Sequence, residues 1–203
     1  MAEPTALGLR PPAMSARRSP LAGRAHELAA LPASVQAREL AFLSQVNLRV
    51  DAAGPAADAV AKVLGVALPV TPCTSLRSGI YDVLWMGPDE WLVLAPDGTA
   101  EDLVGALGAA LGDQHGAVTD VSAQRCAVTL EGPAAREVLA KGCSIDFHPR
   151  VAPSGTCVQT LLAQTGVVIV VRDDGAADFL VLVRASFAQY FVDWLVDASA
   201  ELS

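Results

Sequence analysis

A strand, a tight glycine–proline corner and a short helix are written into residues 118–149, VTDVSAQRCAVTLEGPAAREVLAKGCSIDFHP, and the same corner occurs a second time in the chain. Cys126, Val128 and Leu130 alternate with Ala127, Thr129 and Glu131, the period of two of a half-buried strand. Gly132 breaks the alternation, and Pro133 has the fixed φ suited to the first position of a helix. Helix is expected over 134–141, with Gly142 where a left-handed C-terminal cap belongs. The earlier copy is GPAADAVAKVLG at 54–65, against GPAAREVLAKGC at 132–143, and each follows an alternating strand. A second pair in the same order is DEWLVLAP at 89–96 and ADFLVLVR at 177–184, each feeding an amphipathic helix. Two matched pairs imply a βαββα unit used twice, over about 45–112 and 117–198. Both units join apolar strands to amphipathic helices. The expected class is therefore α+β, with helices packed on one face of antiparallel sheets. Residues 45–121 alone read β-α-β-β-α-β, the ferredoxin-like order.

The remaining elements follow from local signals. Strands are expected over 45–51, 80–86, 90–95, 117–121, 157–163, 167–172 and 178–184, separated by Gly-, Pro- and Asp-rich turns. The helix after Pro55 carries Ala57, Val60, Ala61 and Leu64 on one stripe and closes at Gly65. Thr99 with Asp102, and Ser186 with Gln189, read as capping boxes for the two later helices. The last helix places Phe187, Tyr190, Phe191, Trp194 and Leu195 on one face, an aromatic stripe read as core rather than as a cofactor box. Trp194, at its centre, is expected to anchor it.

The chain of 203 residues carries a net charge of -8, which disfavours nucleic acid as a partner. Its longest purely apolar run, Val167 to Val171, is far too short to span a bilayer, and the N-terminus lacks the apolar stretch of a signal peptide. A cytoplasmic protein without membrane contact is expected. Four cysteines are widely spaced, with no CxxC pair to suggest a disulfide framework or a zinc ribbon. Residues 1–40 hold five arginines against three glutamates, a net +2 that leaves -10 for the rest. The first 34 or so are Pro-rich and aperiodic, so they build no core of their own. They read either as a tail or as an arm that orders against a partner. The division taken is an extended arm over 1–40 and one α+β globule over 41–203. Leu21, Leu28 and Leu31 would insert into a neighbour, with Arg17, Arg18 and Arg24 at the rim.

No catalytic constellation stands out. Gly105, Gly108 and Gly112 have the wrong spacing for a dinucleotide fingerprint, and there is no P-loop. His26, His115 and His148 are far apart in sequence, and Cys143 with His148 lacks two further ligands. Cys126 reads as a small buried hydrophobe. Asp120, Ser122 and His148 could be written as a triad, but Ser122 sits on no exposed elbow. Asp120 lies among Val118, Val121 and Ala117, which suggests partial burial; against catalysis, it reads as a surface carboxylate or as one bonding local backbone at the strand end. Trp85 and Trp91 flank the GPDE turn and read as packing.

RSPLAG at 18–23, GPDEWLVLAP at 87–96, DVSAQR at 120–125, GPAAREVLAKGCSIDFHPR at 132–150 and VRASFAQYFVDWL at 183–195, taken as an ordered set over nearly the whole chain, resemble the gamma subunit of bacterial heterotetrameric sarcosine oxidase. The resemblance implies a fold similar to the folate-binding region of aminomethyltransferases. It implies a role beside alpha, beta and delta subunits, chiefly alpha. Their complex oxidises sarcosine to glycine with oxygen, giving hydrogen peroxide and either formaldehyde or methylenetetrahydrofolate. FAD, FMN, NAD, zinc and tetrahydrofolate are expected on the other subunits and none on this chain. No residue here matches a folate-contact motif. The favoured reading is thus a non-catalytic subunit. A folate-binding aminomethyltransferase-like protein would need a buried carboxylate in an open pocket, with Asp120 the candidate. A free-standing small-molecule-binding module would need a stable monomer.

Overall fold

The structure is a computed structural model and describes residues 17–202. In chain order the elements are α1 (Ala25–Ala29), β1 (Gln36–Glu39), β2 (Ser44–Val50), α2 (Ala56–Leu64), β3 (Ser75–Ser78), β4 (Tyr81–Gly87), β5 (Glu90–Ala95), α3 (Ala100–Leu111), β6 (Gly116–Asp120), β7 (Arg125–Glu131), α4 (Ala135–Ala140), β8 (Cys157–Leu162), β9 (Thr165–Asp173), β10 (Asp178–Arg184) and α5 (Ala188–Ser199).

The ten strands form two five-stranded sheets, ordered β3-β4-β5-β2-β6 and β8-β9-β10-β7-β1. Every pairing is antiparallel. The two orders are the same once β2 is matched with β7, β5 with β10 and β6 with β1, so the repeated sequence is a repeated topology. Within the first sheet, β4-β5-β2-β6 is the ferredoxin-like order expected from 45–121. The edge strands are exchanged. β1 enters the chain just before β2 yet pairs with β7, Gln36 opposite Glu131. β6 precedes β7 yet pairs with β2, Val46 opposite Asp120. Each unit therefore lends its first strand to the sheet of the other.

Alternation along the strands sends side chains into separate cores. From β10, Phe179, Val181 and Val183 face a core with α1, α4 and α5, joined by Phe191, Val192 and Leu195. From β5, Trp91, Val93 and Ala95 face a second core with α2 and α3, including Val60, Leu64, Leu103 and Leu107. The intervening residues Leu92, Leu94, Leu180, Leu182, Val168 and Val170 meet in a third core between the two sheets. The result is four layers, helices outside and two sheets face to face within, as expected when sheet faces and helix stripes must all be covered. This third core corrects the expectation for β7. The strand is buried on both faces rather than half-buried, since Ala127 packs between the sheets and Thr129 is 2% exposed.

Three local expectations fail for physical reasons. Gly65 does close α2 in the left-handed conformation (φ 69), but Gly142, its counterpart after α4, does not. A Cβ on Gly142 would lie 2.6 Å from Trp194 and 3.0 Å from the Ala163 nitrogen, so this glycine is set by close approach. Neither capping box forms. The Thr99 hydroxyl donates to the Pro96 carbonyl at 2.7 Å. The last helix begins after a 3-10 turn at Ala185–Phe187, and the Gln189 amide donates to the Pro20 carbonyl instead. The buried face of α5 is also rotated from the expected stripe. Ala188, Phe191, Val192, Leu195, Ala198 and Ser199 are buried, whereas Phe187 is 43% exposed and Trp194 only partly buried. The large side chains of the expected stripe drew attention from Ala188, Val192, Ala198 and Ser199, which complete the buried face.

Candidate functional site

The first described residues are built into the globule. Leu21 (1% exposed) and Leu28 (3%) lie in the core shared by α4, α5 and the second sheet, and Leu31 packs against it. The insertion of these leucines into a neighbour is therefore corrected: their apolar surface is already covered by this chain. Arg24 joins α1 to α5, with its guanidinium 2.5 Å from Glu27 and from Asp193 and 2.9 Å from the Gln189 side chain. Those bonds, Glu27 first, hold Arg24 protonated well above its ordinary range. Arg17 pairs with Asp97 at 2.8 Å and lies 4.3 Å over the Phe42 ring. Arg18 is exposed. β1 is a strand of the second sheet, so the globule begins before residue 41.

The triad that could be written from Asp120, Ser122 and His148 is absent as a unit among the described residues. Asp120 accepts from the Ser122 amide at 2.9 Å and from its hydroxyl at 2.5 Å. The Ser122 oxygen also accepts from the Gln45 amide at 3.0 Å, which fastens the β6–β7 crossing to β2. His148 sits in its own turn, its Nδ1 accepting from the Arg150 amide at 3.2 Å. Asp120 therefore shapes the crossing, in keeping with a locally bonded carboxylate.

The two units also meet at the other edge of the sandwich. Thr74 pairs with Thr156 in an isolated antiparallel bridge, flanked by Ser75 N–H to Gly155 (2.7 Å) and Cys157 N–H to Cys73 (2.8 Å). A cavity of about 90 Å³ opens there against Arg77, Asp82 and Arg172, and beside it one of about 350 Å³ is lined by Pro69, Val70, Thr71, Pro153 and Thr156. This juncture depends on tertiary pairing and has no sequence signal. The larger cavity offers hydroxyls and prolines but no carboxylate or base to engage a pterin ring, so it does not fit tetrahydrofolate. Among the described residues no three His, Cys, Asp or Glu side chains are grouped to hold a metal ion, and no helix is long and apolar enough to cross a membrane. Cys126, Cys143 and Cys157 are buried and Cys73 is exposed; burial pushes the Cys126 thiol up to about 11 and Cys157 up to about 12.

Burial also raises the Asp82 carboxyl above its usual range, against the pull of Arg77 and Arg172. A carboxyl raised in the native chain binds its proton more tightly there than when unfolded. It thus favours folding at low pH, and that contribution is lost as pH rises from the ordinary carboxylate value through the raised one. Asp82→Asn is expected to raise the melting temperature at pH 7 and to leave it unchanged near pH 3, a difference read by thermal melts across that range.

The architecture defines the class first: a duplicated α+β sandwich of two five-stranded antiparallel sheets between helices. It is similar to the aminomethyltransferase T of the glycine cleavage system from Bartonella henselae, with a TM-score of 0.60 over 85% of this chain and 48% of that one, at 16% identity. That likeness concerns the fold. The chain belongs to the sarcosine oxidase, gamma subunit family, whose model matches residues 49–201. It is 39% identical over 194 residues to the sarcosine oxidase subunit gamma of Corynebacterium sp. (strain P-1), covering 93% of each chain. It is 39% identical over 193 residues to that of an Arthrobacter species, again covering 93% of each chain. A chain of the heterotetrameric sarcosine oxidase from Corynebacterium sp. U-96, solved with pyrrole 2-carboxylate, superposes with a TM-score of 0.85 at 38% identity, over 92% of this chain and 96% of that one.

Proposed function

We propose that the chain is the non-catalytic gamma subunit of a heterotetrameric sarcosine oxidase and supports its assembly in the cytoplasm. The observation that carries this is its near full-length likeness, in sequence and in fold, to a chain of such an enzyme. The local bonding of Asp120 supports a non-catalytic role, because a carboxylate tied to its own turn is poorly placed to move a substrate proton. Sarcosine oxidation to glycine, with hydrogen peroxide and formaldehyde or methylenetetrahydrofolate as the other products, then takes place on the partner subunits. FAD, FMN, NAD, zinc and tetrahydrofolate reside there, and alpha is the chief contact of this chain. Arg18, exposed on the N-terminal segment, is one residue that meets that partner.

Co-expression with alpha, beta and delta tests the reading. A tag on this chain is expected to recover all four subunits in equal amounts together with sarcosine oxidase activity, while the chain alone shows no flavin absorbance. Stoichiometric flavin on the single chain would overturn it. In the assembled enzyme Asp120→Asn is expected to leave turnover within a few-fold of wild type. A thousand-fold loss with intact assembly would instead support an aminomethyltransferase-like active site here.

A further inference from the structure

Arg125 and Arg184 stand directly opposite each other, the terminal register pair of β7 and β10. Directly opposed side chains on antiparallel strands have Cβ atoms about 4.5–5.5 Å apart, and like charges there destabilise the pairing. Neither arginine lies within salt-bridge distance of a carboxylate among the described residues. Glu90 acts on Arg125 from farther away, but its oxygens are engaged by Asn47 at 2.7 Å and Arg49 at 3.5 Å. Arg125 is half-buried, and burial together with Arg184 holds its guanidinium below the ordinary value. The Arg125 guanidinium donates to the Gln124 side-chain oxygen, so the chain of net charge -8 holds a cationic pair with no carboxylate at ion-pair distance among the described residues.

The repeat shows that the fold does not require it. Matching DEWLVLAP with ADFLVLVR puts Pro96 where Arg184 stands. Continuing the β2–β5 register one pair beyond Ser44 and Ala95 puts Leu43 where Arg125 stands. The first unit closes the same corner with a leucine and a proline. In the second unit the corner is also held firmly: the Ala185 amide donates to the Gln124 carbonyl at 2.9 Å, and the Gln45 side chain donates to the Arg125 carbonyl at 2.7 Å. Exposed Ala123 and Gln124 lie on one side in sequence and Phe187, 43% exposed, on the other. Two guanidinium groups carried on firmly held strand ends suit a carboxylate, which a guanidinium fork can grip with two parallel hydrogen bonds.

We propose that the Arg125–Arg184 pair is a docking point for an acidic side chain of another subunit of the oxidase. The inference rests on the assembly reading above. The carboxylate would neutralise the opposed charges, so the pair is costly in the free chain and favourable in the complex. The overall negative charge repels an acidic partner elsewhere and so helps to fix its register here.

The test uses the full-length tagged chain with alpha, beta and delta. Arg184→Ala is expected to weaken recovery of the partners several-fold and Arg184→Glu about tenfold or more, with the difference from wild type shrinking as salt is raised. The isolated Arg184→Ala chain is expected to melt no lower than wild type, because opposed like charges have been relieved; a fold-maintaining role would lower it. Recovery of Arg184→Glu equal to wild type overturns the proposal. So does stabilisation of the isolated chain by inorganic phosphate that depends on Arg184 while recovery is unaffected, since that marks a site for a free anion. If the wild-type chain recovers no partner, the assembly reading fails as well.

Discussion

Deletion of residues 1–40 is expected to leave a chain that no longer unfolds cooperatively. Three side chains at most 3% exposed, Leu21, Leu28 and Val35, would be removed from the core beneath α4 and α5. A buried leucine cut to alanine costs about 2–5 kcal/mol, and three such losses approach the whole stability of a typical domain, roughly 5–15 kcal/mol. The deletion also strips β1 from β7, exposing the backbone groups that pair Gln36–Glu39 with residues 128–131. Thermal melts by circular dichroism, with dye binding to exposed apolar surface, would show a broad transition. A sharp melt near that of the intact chain would mean that the segment is an appendage after all.

Trp91→Ala is expected to cost about 3–5 kcal/mol, and Trp194→Ala roughly half as much. Trp91 is fully buried among α2, α3 and the first sheet, and its indole N–H donates to the Pro69 carbonyl at 2.8 Å. Removing it leaves a large void and an unpaired buried carbonyl. Trp194 is only partly buried, lying against Gly142 and tilted beside Phe191 at 6.4 Å. Chemical denaturation of the two variants side by side decides the order. A larger loss at Trp194 would mean that the buried face assigned to α5 in the core with α1 and α4 is wrong.

The repeat was legible because its punctuation is local. Gly54–Pro55 and Gly132–Pro133 mark their corners whatever they pack against, and the alternation around Trp91 and Phe179 fixes strand faces directly. β1 was not legible, because it is four residues long and takes its partner from distant sequence, whereas the place of β6 beside β2 was contained in the ferredoxin-like order of 45–121. The N-terminal leucines misled for the same reason. Residues 1–34 read as Pro-rich and aperiodic, yet such a segment still packs when another part of the chain supplies the surface. The apolar neighbours of Asp120 suggested partial burial, yet it is exposed and bonded to the Ser122 amide and hydroxyl, the local bonding that was the alternative. The Arg125–Arg184 juxtaposition appears only once β7 and β10 are in register.

The crossed edge strands also set an order of events during synthesis. β1 leaves the ribosome long before its partner, since Thr129 reaches back to Arg38 across 91 residues. Until β7 has been made, the N-terminal segment has no sheet to join and its leucines have no core. The first sheet likewise stays one strand short until β6 emerges, immediately ahead of β7. The first sheet draws only on residues 44–120 and is complete once β6 is made, whereas the second, which takes in β1, waits for β7 to β10, so the N-terminal apolar side chains stay uncovered longest during synthesis. A duplication that looks modular in its sequence is thus tied, in its assembly, by a first strand that must wait for the sheet made last.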